Sequence, residues 1–404
     1  MKQLGRFVPV ALAVLLGTAC GGDSSGPGGP RAASVTGIAG DNQAAPTGAA
    51  MAFPLSLVAL GSGGQPVQGV QVTWSVTPAG LVSFNPTTST TDANGSAATN
   101  VTAGLLTGSA NVHAAVPGVP DVLYHLTVVD PCSYLAPYTF GQTVNGFLSS
   151  ADCNRNGFGF YYDFHGLTLP TGQQSIRISM HSVFDTWLDF WSAAGPYVAF
   201  DDDSILGQEQ NSQIDIILPG NNYIIGASSF DQNITGAYSL TTATRPAAMS
   251  GCRQVWVMRG VSVSDSITLS DCADSSAPTH YYDVARIIVY AGTVLQIAER
   301  SGTMNPSLAL YKVTIDTIYH RELVASNDDS SASNTNAFIR FNVDTSNIYD
   351  VVIGTSAGVT TGTGTYTFTV DTTTTLSSRA SPPSDVRSDS WWRLHGDVLR
   401  PSKH

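Results

Sequence analysis

The stretch Pro66-Val67-Gln68-Gly69-Val70-Gln71-Val72-Thr73-Trp74-Ser75-Val76 places an apolar residue at every second position from Val70 onward. Side chains on a β-strand alternate between two faces, so this spacing describes a strand with one buried face and one wet face. The same period returns in Ala97, Thr99 and Val101, and again in Ala110, Val112 and Ala114. Between the first two runs stands Asp92-Ala93-Asn94-Gly95, whose Asn and Gly tolerate positive φ and so predict a tight turn. Elsewhere, period-two patches broken by Gly, Pro, Asn and Asp take the place of long helical spacings. The expected class is all-β, built of sandwiches.

A chain of 404 residues has room for about two to four such domains. Only 12% of residues are charged and the net charge is −12. Nucleic acid needs basic patches for its phosphates, so no nucleic-acid partner is expected.

The N-terminus has Lys2 and Arg6, then an apolar run from Phe7 to Leu16 broken only by Pro9, then Gly17, Thr18, Ala19 and Cys20. Such a run is too short to cross ~30 Å of hydrocarbon and describes an export signal. It resembles a bacterial lipoprotein signal over residues 1–19, with Gly17 where Leu is usual. That resemblance implies acylation of Cys20, a lipid anchor in the membrane, and a place in the cell envelope, at the outer membrane or cell surface. Residues 20–32 are rich in Gly, Ser and Pro and are expected to be a flexible linker. Within them Gly22-Asp23-Ser24-Ser25-Gly26-Pro27 resembles the nucleophile loop of trypsin-like proteases. Those enzymes place His and Asp before the Ser, whereas only a signal precedes Ser24, so no protease is expected.

Cys20 aside, four cysteines remain, in two pairs: Cys132 with Cys153 and Cys252 with Cys272. Export permits disulfides, and neither pair has zinc-ligand spacing, so two disulfides are expected.

Residues 131–371 repeat themselves. Cys132 and Cys252, Tyr161-Tyr162-Asp163 and Tyr281-Tyr282-Asp283, and Leu188 and Leu308 all stand 120 residues apart. Asp202-Asp203-Ser204 and Asp328-Asp329-Ser330 are 126 apart; Gly236-Ala237-Tyr238 and Gly364-Thr365-Tyr366 are 128 apart. A growing offset marks a duplicated domain with insertions, one of them near Thr314 to Glu322. A period this long means tandem domains rather than a solenoid.

Residues 33–129, through Pro66 to Trp74 and Thr91-Asp92-Ala93-Asn94-Gly95-Ser96-Ala97, resemble bacterial Ig-like domains of the invasin/intimin type (Big-1). Each copy of the repeat, 131–245 and 250–371, resembles the bacterial pre-peptidase C-terminal (PPC) domain. The first copy matches through Tyr161 to Phe164, Phe184 to Phe190, Asp201 to Ser204, Pro219 to Tyr223 and Gly236 to Leu240. The second departs at Asn305-Pro306-Ser307, where the first has Phe184-Asp185-Thr186. These resemblances imply an Ig-like sandwich followed by two tandem jelly-roll-like sandwiches. They also imply a binding or accessory role, since PPC domains usually accompany secreted enzymes and no enzyme domain is recognised here. The tail, 372–404, is expected to be disordered; nothing in the sequence explains Trp391-Trp392.

No cofactor is expected, with calcium the one candidate ion. Asp185, Asp201, Asp202 and Asp203 offer hard oxygens in the first copy, and Asp328 and Asp329, beside Asn327, in the second. The competing reading is that these residues cap turns through hydrogen bonds to the backbone. Glu209, Glu299 and Glu322 carry no catalytic signature, and His165, His181 and His280 read as strand or turn residues. Trp187, Phe190, Trp191, Tyr197 and Phe200 cluster, with Trp187 and Trp191 on one strand face and Phe190 on the other. One set is expected in the core; the other, if exposed, would stack on sugar rings or a partner. The expected function is non-catalytic: a surface lipoprotein that adheres, binds a protein or polysaccharide, or acts as a spacer. The alternative is an accessory protein that binds polymer for a secreted hydrolase.

Overall fold

The computed structural model describes residues 29–154, 157–202, 210–245, 254–274, 277–315, 319–329, 335–356 and 363–374. Cys20, Ser24, Asp203, Glu209, Cys252, Trp391 and Trp392 lie outside the described residues. The chain forms two compact units. One comprises Met1–Gln43, Met51–Val101 and Ala110–Leu126; the other comprises Ala44–Ala50, Thr102–Ser109 and Thr127–His404.

The Ig-like sandwich is built from β1 (Ser34–Ala39), β2 (Gln43–Pro46), β3 (Leu55–Leu60), β4 (Gln71–Thr77), β5 (Val82–Asn85), β6 (Thr88–Thr90), β7 (Ser96–Ala103), β8 (Gly108–Ala115) and β9 (Val122–Val129). One sheet runs β1-β3-β7-β5 and the other β2-β9-β8-β4-β6. Val72 and Trp74 of β4 are buried while Gln71, Thr73 and Ser75 are exposed, as the alternation predicts. Trp74 lies 6.1 Å from Tyr124, whose hydroxyl donates to the Ser56 carbonyl. In the turn before β7, the Asp92 carboxylate accepts from the N–H groups of Asn94 and Ser96. Only Gly95 there takes positive φ, at 69°, and a Cβ on it would fall 2.5 Å from the Ala59 carbonyl oxygen. The turn thus needs its glycine, while Asn94 serves through its backbone N–H.

Copy 1 of the duplication comprises β10 (Ala136–Tyr138), β11 (Thr143–Leu148), β12 (Asp163–Thr168), β13 (Gln173–Ser182), β14 (Thr186–Ser192), β15 (Tyr197–Asp201), β16 (Ser212–Pro219), β17 (Asn222–Ser229) and β18 (Gly236–Thr244). Copy 2 comprises β19 (Val255–Val257), β20 (Val261–Ile267), β21 (Cys272–Asp274), β22 (Ala277–Val289), β23 (Thr293–Arg300), β24 (Pro306–Ile315), β25 (Tyr319–Asn327), β26 (Ala337–Val343), β27 (Asn347–Thr355) and β28 (Gly364–Thr374). The wiring repeats. Copy 1 has a five-stranded sheet β10-β12-β17-β14-β15; copy 2 repeats it as β19-β22-β27-β24-β25. The facing sheets run β11-β18-β13-β16 and β20-β28-β23-β26. Both copies even carry a register shift at the same place, between Phe190 and Trp191 and between Leu310 and Tyr311.

Two differences from the sequence reading follow. The copies are not separate sandwiches in series: β16 of copy 1 pairs in parallel with β19 of copy 2, through Ile216 with Trp256 and Ile217 with Val257. One ten-stranded sheet therefore spans both copies. And β28 runs on through Thr372–Thr374, residues the sequence reading assigned to the tail. The insertion near Thr314 extends the β24–β25 hairpin, where Ile315 still pairs with Tyr319.

Candidate functional site

Strand β14 is buried along its whole length, Thr186 to Ser192. Its inner face sends Leu188 and Phe190 into the sandwich core, with Phe190 stacked on Tyr223 at 5.1 Å. Its outer face carries Trp187, Asp189 and Trp191. Trp187 stacks on Phe200 at 5.4 Å, and Trp191 meets Tyr197 at 5.5 Å and Phe164 at 6.0 Å. The Asp189 carboxylate accepts from the hydroxyls of Tyr162, at 3.0 Å, and Tyr197. A Cβ at Gly226 would come within 2.7 Å of the Trp191 ring, so that glycine lets the indole lie flat across the sheet.

This aromatic face is not a free surface. Trp256 of copy 2 packs on Phe200 at 5.5 Å, and Val313 and Ile348 join the same apolar cluster. The Tyr290 hydroxyl donates to the Tyr197 carbonyl at 3.0 Å. Both aromatic sets of copy 1 are therefore buried, the inner one in the core, and the outer one reaches copy 2 through Phe200 and Tyr197. On the copy 2 side, Arg286 lies over the Trp256 ring at 5.6 Å and forks onto Asp350 at 2.8 and 3.1 Å. Arg321, supplied by the extended hairpin, reaches the same carboxylate at 2.6 Å. Asp350 is fully buried, and the sequence reading did not single out this Arg–Asp–Arg row.

Asp201 ends β15, next to Phe200, and Asp328 and Asp329 follow β25. The Asp201 Oδ2 accepts the Gln213 N–H at 2.6 Å, and the Asp202 carbonyl accepts from the Ser212 hydroxyl. The Asp185 carbonyl accepts the Phe230 N–H. In copy 2, Asn327 Oδ1 accepts the Phe338 N–H at 2.8 Å, its amide donates to the Asp329 carbonyl, and Asp328 accepts from the Ser356 hydroxyl. Among the described residues, no group of three or more His, Cys, Asp or Glu is placed to hold a metal ion.

Cys132 and Cys153 form a disulfide, and Cys272 is disulfide-bonded as well. His165 is buried, with its Nε2 3.0 Å from the Tyr238 hydroxyl, and burial lowers its pKa to about 4, so the ring is neutral. His181, on β13, is exposed.

Buried acids are the groups the sequence reading passed over. Asp163 accepts from the Tyr238 hydroxyl at 2.7 Å; Asp283 accepts from Tyr366 at 2.7 Å. Burial raises Asp163 to about 7 and Asp283 to about 8. Their signal was in the sequence, as a Tyr-Tyr-Asp and a Gly-x-Tyr kept in both copies. Glu299 gave no such signal; burial raises it to about 9.

Neither a protein-family model nor a curated protein matches the chain. Among solved structures, it is similar to the pre-peptidase C-terminal domain of collagenase from Bacillus anthracis, at 14% identity and a TM-score of 0.23, over 27% of this chain and 95% of that one. It is also similar to invasin, a bacterial integrin-binding protein, at 12% identity and a TM-score of 0.20, over 79% of this chain and 54% of that one. A third is a Ca2+-stabilized adhesin of an ice-binding Antarctic bacterium, at 15% identity and a TM-score of 0.17, over 85% of this chain and 74% of that one. Scores this low give the likenesses no weight for function.

Proposed function

We propose that this chain is a non-catalytic lipoprotein of the cell envelope, held by a lipid on Cys20, that works as a spacer or adhesive module. The supporting observation is the junction of the two copies. A shared ten-stranded sheet and a common aromatic cluster make them one stiff body, as a spacer requires. The polymer-binding alternative called for an exposed aromatic stripe on a PPC face. Trp187, Trp191, Tyr197 and Phe200 are all buried, so that cluster does not supply one.

The test is expression of the full chain in a bacterial host fed labelled palmitate. Label is expected on the wild type and lost in Cys20→Ser. Protease added to intact cells is expected to remove the wild-type chain. A label that survives the substitution overturns the anchor, and a chain protected on intact cells overturns the surface placement. Binding of the purified chain to immobilised proteins and polysaccharides then separates adhesion from spacing.

A further inference from the structure

Copy 2 buries Asp283 and Glu299 where copy 1 has the part-buried Asp163 and the apolar Met180. Asp283, on β22, is 1% exposed; its Oδ2 accepts from Tyr366, and its Oδ1 has no partner. Glu299, on β23, is 0% exposed, and neither of its oxygens has a partner. The two carboxyls sense each other's charge. The groups that face them are Asp265 from β20, Asp271 from the turn before β21, and Tyr366 from β28. Each is acidic or phenolic; Arg300, the neighbour of Glu299, lines a pocket with Asp265 and Tyr366 but is itself exposed, while the Glu299 carboxyl is buried.

Copy 1 solves the same position differently. Asp163 takes the equivalent bond from Tyr238, and the neutral His165 joins that hydroxyl. The place of Glu299 is taken by Met180: Met180 pairs with Leu240 as Glu299 pairs with Phe368. Met180 is fully buried among apolar neighbours.

We propose that copy 2 carries a proton-operated lock, in which the Asp283–Tyr366–Glu299 cluster holds the sandwich closed while both carboxyls are protonated and loosens the β20-β28-β23-β26 sheet as they ionise. An ionised carboxylate without donor or counter-charge is strongly disfavoured in an apolar interior. It must stay protonated, or the sheet must open to let water reach it. Burial sets the window: Asp283 is raised to about 8 and Glu299 to about 9, from ordinary values of 3.8 and 4.5. Between about pH 4.5 and 8, the closed sheet therefore holds two protons that the opened sheet releases. Each such proton makes opening about tenfold more favourable per pH unit, and two make it about a hundredfold. Stability is thus greatest on the acid side and falls as pH rises, levelling off once both groups are ionised in the closed state.

The experiment is hydrogen exchange by mass spectrometry on the full chain at pH 5.5, 6.5 and 7.5, corrected for intrinsic exchange. In β23 and β28 the wild-type opening constant is expected to climb about a hundredfold per unit. In Glu299→Met, which installs the copy 1 residue, the climb falls to about tenfold, with Asp283 alone titrating. Glu299→Gln, which keeps the shape, gives the same reduction should methionine fit poorly. Copy 1, whose raised acids are Asp152 and Asp163 and whose Met180 stands in the place of Glu299, is the internal reference. Equal pH slopes in the wild type and either folded variant overturn the proposal. Since the readout is local opening, it does not depend on where the chain is anchored or what it adheres to.

Discussion

On the outer face of its five-stranded sheet, copy 1 carries Phe164, Trp187, Trp191, Tyr197 and Phe200. At the same strand positions copy 2 carries Val284, Ser307, Tyr311, Leu323 and Ser326. The hydrogen bonds beneath have not drifted in the same way. The Ser182 hydroxyl donates to the Ala237 carbonyl, and Ser301 to Thr365. The N–H of Ser182 donates to Asn211, and that of Ser301 to Asn336. Bonds that finish the backbone are required wherever this fold forms, because a buried polar group left unpaired is costly. The outer face is kept aromatic only where something covers it. The edges repeat this lesson. In copy 1 the outward residues of β16 are Gln213, Asp215 and Ile217, with β19 alongside; at the open edge of copy 2, β26 shows Phe338, Arg340 and Asn342. At the other end Pro137 stands where β19 has Trp256, and proline has no N–H to offer a further strand.

The strongest way to break this comparison is Trp256→Ala. It removes an aromatic anchor that is 6% exposed and touches Phe200 and Arg286. The expected loss is about 3–5 kcal/mol, in the range for large core truncations. Guanidinium unfolding should then show two transitions where the wild type shows one. Tyr311→Ala, at the copy 2 equivalent of Trp191, should cost only about 1 kcal/mol, since that ring is partly exposed. A single unchanged transition in Trp256→Ala would show that Trp256 does not hold the copies together.

Next in size are the buried ion pairs. Asp350→Asn leaves Arg286 and Arg321, whose side chains are 12% and 26% exposed, without their carboxylate. Breaking a buried pair from one side costs about 3–5 kcal/mol. Asp215→Asn in copy 1 should cost less, about 2 kcal/mol, because Arg177 is 42% exposed, where water can take over, and its second arginine, Arg245, stands 3.9 Å away. Thermal midpoints of the two variants decide the order; the reverse order would mean that Asp350 is not the group neutralising both arginines. The disulfide of copy 1, with a sequence separation of 21, contributes about 3 kcal/mol in the chain-entropy model. Cys132→Ser with Cys153→Ser should lower the denaturation midpoint accordingly, and an unchanged midpoint would refute the clasp.

How much of this was legible in the sequence depends on the kind of contact. Alternation around Trp74 gave strands with the right buried face, since a two-residue period is local information. The kept Tyr-Tyr-Asp and Gly-x-Tyr marked the duplication, because both copies need the same internal bonds. The burial of Trp187 and Trp191 was not legible. The period separates two faces but does not say what lies against the second one, here Phe200 and Phe230 on Trp187 and Phe164 and Tyr197 on Trp191. Glu299 was illegible for a similar reason. Its strand alternates so that Glu299 shares a face with Leu295 and Ile297, but a glutamate reads as a strand end, and the fold shows it fully buried in the place of Met180.

The acidic turns give the smallest predicted effect and the finest comparison. Asp201 in copy 1 and Asn327 in copy 2 accept the same backbone N–H, from Gln213 and Phe338. One acceptor is charged and the other is neutral, yet the turn is the same. The position thus needs an oxygen and not a charge. Asp201→Asn should change stability by no more than about 0.5 kcal/mol, while Asp201→Ala should cost about 1 kcal/mol for the lost bond. EDTA should leave the melting temperature of either protein where it was. A calcium site would reverse this pattern, because a cation discriminates between carboxylate and amide by charge: Asn would then weaken the turn, and chelation would lower the melting temperature of the wild type alone.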